Sequence, residues 1–285
     1  MTNPSSHALP HCETLLLAQS GGCLTIMFNR PEQRNAMNTQ MSAELNAVID
    51  QLAHNDRIRT VIFRGAGGNF CAGGDIKERR EQIAEIAPDC NPVYLRNRSA
   101  GQMFKKIAHL PQTTLAFVEG AAMGGGFGFA CIADMTLVAA SAKLGMPETT
   151  LGVAPAQIAP YVVRRIGLTK ARQLALTGQR INGEEACQLG LAQYVFRDLE
   201  DGERQLAALV KKIDGCGPKA NAVTKEIMNA VSSLTEDELI EFSAARFAAL
   251  NEAEEGREGQ RAFVEKRAPQ WPSLHGTEEF EKTKS

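Results

Sequence analysis

Apolar and polar positions along this chain change rhythm twice. Short β-branched runs alternate with amphipathic stretches as far as about residue 168, after which helical spacing dominates. Thr14 to Ala18 and Cys23 to Phe28 are strand-like and flank Gly21-Gly22, a hairpin signal. Met41, Leu45, Val48, Ile49 and Leu52 recur at helical spacing, which predicts an amphipathic helix over Thr39 to His54 capped by Asn38 or Thr39. A strand is expected at Arg59 to Arg64, and a helix at Pro92 to Leu110 with Val93, Leu95, Met103, Phe104 and Ile107 mostly on one side. Thr114 to Val118 reads as a strand, Phe127 to Ile132 as a helix and Met135 to Ala139 as a buried strand. Lys77 to Asp89 is charged and irregular, as expected of a mobile surface helix or loop.

Beyond Leu168 the pattern predicts helices only, apart from Ala192 to Phe196. They are expected at Thr169 to Leu176, Asn182 to Leu189 with Asn182 as cap, Leu199 to Ile213, Pro218 to Val231, Thr235 to Ala248 and Gly256 to Lys266. Strand–helix alternation followed by helices predicts an α/β layered core. The expected division is a polar tail (1–12), a catalytic core (13–200) and a C-terminal helical region (201–285).

Two glycine clusters follow strands. Gly65-Ala66-Gly67-Gly68-Asn69-Phe70-Cys71-Ala72-Gly73-Gly74-Asp75-Ile76-Lys77 follows the Arg59 strand, and Gly124-Gly125-Gly126 follows Thr114 to Val118. Turns without side chains let main-chain N–H groups approach a ligand, and at a helix N-terminus those groups favour negative charge. Two such turns, each offering one N–H, make a candidate oxyanion hole. Glu148 follows Pro147 among Leu144, Met146, Leu151 and Val153, a lone carboxylate suited to carrying a proton. The competing reading makes Glu148 an ion-paired or capping residue, and Gly74 and Gly125 turn glycines that need positive φ.

Composition narrows the classes. With 31 Lys+Arg against 33 Asp+Glu the net charge is −2, which argues against a nucleic-acid footprint. The seven cysteines form no C-x-x-C pair and no zinc spacing, so a reduced, metal-free protein is expected, with Cys71 a small apolar filler. No signal-peptide pattern opens the chain, and the run from Thr114 to Ala140 is broken by Glu119, Asp134 and glycines, so no membrane span is read. A soluble cytoplasmic protein is the expectation. His54 and His109 end helical patterns and read as partners of helix C-termini. Glu119 and Asp134 read as network or interface anchors, and no Ser-His-Asp set is discernible.

Asn29-Arg30-Pro31, Asn35-Ala36-Met37-Asn38, Phe70 through Ile76, Gly120 through Gly126 and Pro147-Glu148-x-x-Leu151-Gly152 together resemble the enoyl-CoA hydratase/isomerase (crotonase) superfamily, from about Leu15 to Trp271. The resemblance implies a ββα-spiral core with C-terminal helices that build a trimer or a dimer of trimers. It implies that the N–H groups of Gly74 and Gly125 bind a thioester oxygen, and that coenzyme A, as part of the substrate and with no other cofactor, lies along Gln33, Arg34 and Asn35 and along Ala72, Gly74, Asp75, Ile76 and Lys77. Many hydratases of the family carry a second glutamate where this chain has Gly128, whereas Glu148 matches the one retained. Gly152 through Val163 resembles a branch acting on 3-methylglutaconyl-CoA or isohexenylglutaconyl-CoA. A Δ3,Δ2-enoyl-CoA isomerase, needing one base, is the other expectation. Pocket residues are expected in Tyr94 to Phe104 and at Phe127, Phe129 and Ile158.

Overall fold

A computed structural model describes residues 9–76, 78 and 91–271. The expected hairpin is present: β1 (Leu15–Ser20) and β2 (Cys23–Phe28) pair antiparallel across the two-residue turn. Helix α1 (Thr39–Leu52) buries Met41, Leu45, Val48, Ile49 and Leu52, the five residues of the predicted stripe. Of the two candidate caps, Asn38 is the one used, its side chain accepting from the Met41 N–H.

From β2 onward the main sheet is parallel. Among the described residues its order is β1-β2-β3-β4-β6-β9, with β3 at Thr60–Gly65, β4 at Thr113–Val118, β6 at Met135–Ala139 and β9 at Tyr194–Phe196. Helix α2 (Pro92–Ala108) precedes β4, and α3 (Gly125–Ile132) lies between β4 and β6. β5 (Ala121–Met123), β7 (Lys143–Gly145) and β8 (Arg180–Ile181) form a second, smaller sheet. The core is therefore α/β and layered, as the alternation predicts.

Four corrections to the sequence reading matter. The helix expected from Phe127 begins at Gly125, so the glycines lie inside its first turn. Val93 and Leu95 are exposed, and α2 buries Met103, Phe104 and Ile107 only. The region past Leu168 is not wholly helical outside Ala192 to Phe196, because β8 lies within it. Helix α4 (Ala159–Ile166) carries Pro160 in its first turn, where proline's missing N–H costs nothing; it was unforeseen. The predicted surface segment Lys77 to Asp89 falls outside the described residues, apart from Glu78.

The remaining helices are α5 (Leu168–Thr177), α6 (Gly183–Gln188), α7 (Leu199–Asp214), α8 (Pro218–Ala230), α9 (Glu236–Glu252) and α10 (Glu254–Glu265). Asn182 caps α6 in a reciprocal capping box with Glu185. Helix α7 packs Leu206, Leu209 and Ile213 onto the core. Glu255, almost fully buried, accepts from the first N–H groups of α8 at Lys219 and Ala220. A carboxylate there complements the positive helix end.

One aromatic cluster positions the site. Phe28 of β2 meets Phe70 at 5.6 Å and Phe129 of α3 at 5.2 Å between ring centroids, and Phe63 of β3 meets Phe129 at 5.8 Å. Phe70 directly precedes the first glycine cluster and Phe129 lies one turn beyond Gly125. Each fully buried ring is worth about 1.5–3 kcal/mol, so the two loops are moored by the core rather than by their own glycines.

Candidate active site

The two glycine clusters meet along a run of main-chain hydrogen bonds. Cys71 donates to Ala121 O at 2.9 Å and accepts from the Met123 N–H at 2.9 Å. On the other side, the Met37 N–H donates to Gly73 O at 2.7 Å and Asp75 donates to Met37 O at 2.9 Å. Because a residue in a parallel bridge bonds the neighbours of its partner, Gly74 turns its own N–H away from Met37. Gly125 opens α3, so its N–H has no intrahelical acceptor. The loops touch at Gly73, where a Cβ would lie 3.6 Å from the Gly125 nitrogen.

The left-handed backbone falls one residue earlier than expected. Gly73 (φ 94°) and Gly124 (φ 52°) adopt it, whereas Gly125 is helical and Gly74 sits in the extended bridge to Met37. The two candidate donors, Gly74 and Gly125, have ordinary backbone, and the residue before each has positive φ. Substitution at Gly73 is blocked twice, since a Cβ would also lie 2.8 Å from Met123 O.

Glu148 arrives by the small sheet. β5 and β7 pair in parallel with Met123 opposite Gly145, and the Gly124 N–H donates to Gly145 O at 2.9 Å. The chain then enters a 3-10 turn (Pro147–Leu151), fixed by Thr149 Oγ1 donating to Ala175 O of α5 at 2.7 Å. The half-buried Glu148 is thereby set against the start of α3: a Cβ at Gly124 would lie 2.9 Å from its Oε1. Of its expected apolar neighbours, Leu144 and Met146 are buried while Leu151 and Val153 are exposed.

The segment expected to hold coenzyme A is held against the first glycine loop. Ala72 donates to Arg34 O at 3.0 Å, and Gln33, Arg34 and Ile76 are exposed. Asn35 is fully buried, its side chain accepting from Arg30 N and donating to Ala66 O and Asn69 O, so its amide is committed to the loops. Lys77 lies outside the described residues. Two contributors have no periodic signal in the sequence. Arg30 pairs with Asp75 at 3.0 Å and donates to Ala36 O, tying Asn29-Arg30-Pro31 to the glycine loop. Arg165 of α4 donates to Cys131 O, Ala133 O and Asp134 O, a cation closing the negative end of α3.

The groups not expected in chemistry are engaged elsewhere. His109 Nδ1 lies 2.8 Å from Lys105 O at the end of α2, and Glu119 pairs with Arg64 at 3.5 Å. Asp134 accepts from Thr114 N and Oγ1 and pairs with Lys225 at 2.7 Å. Burial pushes the Cys71 thiol up to about 11, so this filler beside Gly73 stays protonated at neutral pH. Among the described residues no group of three or more His, Cys, Asp or Glu is gathered as metal ligands, and no helix is long and apolar enough to cross a membrane.

Gly128 stands where many hydratases of the resembled family carry a second glutamate, and another residue fills that space. A Cβ there would lie 2.3 Å from Ile158 Cγ2 and 3.3 Å from Phe104 Cζ.

Two stitched glycine loops, a helix starting at one of them and a carboxylate against that start define a crotonase-fold, acyl-CoA-processing protein. The family model described as Enoyl-CoA hydratase/isomerase matches residues 18–274, and the chain belongs to that family as a hydratase-type enzyme. An enoyl-CoA hydratase/isomerase from Marinobacter aquaeolei is similar at 45% identity over 91% of this chain and 99% of that one, with a TM-score of 0.88. Pseudomonas aeruginosa AtuE is 44% identical over 90% and 98% of the two chains, with a TM-score of 0.87. The mouse mitochondrial methylglutaconyl-CoA hydratase is 30% identical over 259 residues, 89% of this chain and 80% of that protein.

Proposed function

We propose that the protein adds water reversibly to the 2,3 double bond of a 3-branched glutaconyl-CoA thioester, such as 3-methylglutaconyl-CoA or isohexenylglutaconyl-CoA, in leucine or acyclic terpene (citronellol or geraniol) breakdown. The observation that carries this reading is Glu148 Oε1 lying against Gly124, one residue from the free helix-start N–H of Gly125. The N–H groups of Gly74 and Gly125 donate to the thioester oxygen. Water oxygen bonds to C3 while the C2=C3 π electrons shift through C2 onto the thioester carbonyl oxygen to give an enolate, and Glu148 takes the water proton. Collapse of the enolate then draws a proton from Glu148 to C2, so one carboxylate serves both transfers. Preorganised donors supply several kcal/mol for the developing oxyanion. The methylglutaconyl-CoA hydratase relative supports the substrate class.

Coenzyme A is assigned to the edge where Gln33, Arg34 and Ile76 are exposed beside the partly exposed Ala72, Gly74 and Asp75, with the buried Asn35 holding that edge in place; Lys77, the remaining candidate, lies outside the described residues. The working unit is assigned as a cytoplasmic homo-oligomer, a trimer or a dimer of trimers, that covers the apolar outer faces of α8, α9 and α10. Purified enzyme given either glutaconyl thioester in heavy-oxygen water should place solvent oxygen at C3. Glu148→Gln should lower kcat by about 10²–10⁴-fold. Wild type without hydration, or full activity in Glu148→Gln, refutes the reading.

The alternative is a Δ3,Δ2-enoyl-CoA isomerase. Ile158 against Gly128 favours it, because a second carboxylate has no room there. Double-bond migration without solvent oxygen in the product is its signature.

A further inference from the structure

Helix α3 presents two missing side chains to the segment that carries Glu148. Gly124 caps the helix with φ 52°, and Gly128, whose N–H donates to Gly124 O at 3.0 Å, lies one turn further on. The first abuts Glu148 Oε1; at the second, a Cβ would lie 2.3 Å from Cγ2 and 3.0 Å from Cβ of Ile158. The chain from Pro147 to Ile158 therefore runs along α3, setting the carboxylate against one turn and the isoleucine against the next.

The preceding residue does the same to α2. A Cβ at Gly101 would lie 2.1 Å from Gln157 Oε1, and Gln157 Nε2 donates to Asn97 Oδ1 at 2.6 Å. A single dipeptide thus seats in notches of two helices. Phe104 of α2, whose Cζ would lie 3.3 Å from the same Gly128 Cβ, sits 5.0 Å from Phe129 and 6.0 Å from Tyr161 between ring centroids. Ile158 is buried and its χ1 is stiff because it is β-branched.

We propose that Ile158 is the specificity-determining residue for the acyl group, forming the cleft wall one helical turn from Glu148 and limiting the substituent borne by C3. The proposal rests on the reading above for where the thioester lies, but not on which reaction follows. Gln157, pinned by Asn97, is the positioning residue that holds the wall in place.

The test uses full-length enzyme and saturated acyl-CoA thioesters, which bind but cannot react, with hydrogen, methyl or a longer alkyl group at C3. Calorimetric affinities are compared for wild type, Ile158→Val and Ile158→Ala, alongside turnover of the matching 2-enoyl thioesters. Ile158→Ala should raise the preference for the longest branch over the unbranched thioester by about tenfold or more, the scale of a few methylenes in an apolar pocket. Ile158→Val should fall between, and supplies the reading if the alanine variant does not fold. Gly128→Ala should shift the preference towards the unbranched thioester, and adding Ile158→Ala should reverse that shift. Preference ratios unchanged within about twofold across folded variants, or no reversal in the double variant, overturn the proposal. If the ratios shift as expected while wild type leaves glutaconyl thioesters unhydrated, the hydration reading fails and the wall stands.

Discussion

The glycine-lined cleft and the C-terminal helices solve opposite problems. In the cleft, main-chain atoms form the candidate oxyanion hole, and buried side chains such as Phe28, Phe70 and Phe129 hold the two loops together. In α8 and α9 no described residue is buried, although both helices are well formed and α9 carries a full capping box at Thr235 and Glu238. Large apolar side chains instead face outward there and in α10: Met228 is 68% exposed, Phe247 70% and Phe263 of α10 84%. Local signals are enough to make those helices, but a face this apolar calls for a cover. The cleft is built of contacts within one chain, whereas the C-terminal helices leave their apolar side chains at the surface.

Gly73→Ala breaks the cleft side most severely. The strained backbone costs about 1–3 kcal/mol, and the Cβ must displace Met123 O, moving Gly125 with it. Losing one oxyanion donor costs about 10²–10³ in rate, so kcat should fall by that order while circular dichroism stays α/β. Normal kinetics in Gly73→Ala would mean the two loops need not touch.

On the other side, Phe247→Ser with Phe263→Ser should disperse the assembly. Sedimentation velocity should show a smaller species that retains its helices. An unchanged sedimentation coefficient would remove these faces from the proposed interface.

Between the regions stands Lys225 of α8, which pairs with Asp134 and donates to Gln112 O at 2.6 Å. Lys225→Met should lower stability by about 1–3 kcal/mol, the range for hydrogen bonds to a charged group, read as a drop in the thermal midpoint. Activity at low temperature should be little changed, because neither contact reaches Glu148.

The smallest effect is a titration. The Arg267 hydrogen bonds and the Gln270 N–H hold the half-buried Glu258 carboxyl at about 2, below its usual 4.5. A folded-state value below the unfolded one means the stabilising contribution is full above about pH 4.5 and disappears as pH falls towards 2. Carboxyl NMR should show Glu258 titrating near 2 in wild type and near its usual value in Arg267→Met.

Periodicity and local chemistry carried much of the molecule. The stripe of α1, the Asn38 and Asn182 caps, the hairpin at Gly21-Gly22 and the runs of β2, β4 and β6 all depend on neighbours within a few residues, so their signals are written consecutively along the chain. The same holds for the glycine clusters and Pro147-Glu148 as candidates for chemistry. β5, β7 and β8, two or three residues long, escape because so short a run has no period to detect, whereas the equally short β9 lies in the expected stretch from Ala192 to Phe196. Helix α4 escapes because two prolines obscure a start that proline favours.

Long-range packing decided the rest. That Gly73 and Gly124, rather than Gly74 and Gly125, take the left-handed backbone follows from the bonds of Met37, Ala121 and Met123 to residues far away in sequence. That Gly128 receives Ile158, Asp75 receives Arg30 and the end of α3 receives Arg165 follows from segments that only the layered core brings side by side. Local rules assign each residue a conformation, but contact between distant residues is a property of the closed chain, and in this protein the cleft consists of such contacts.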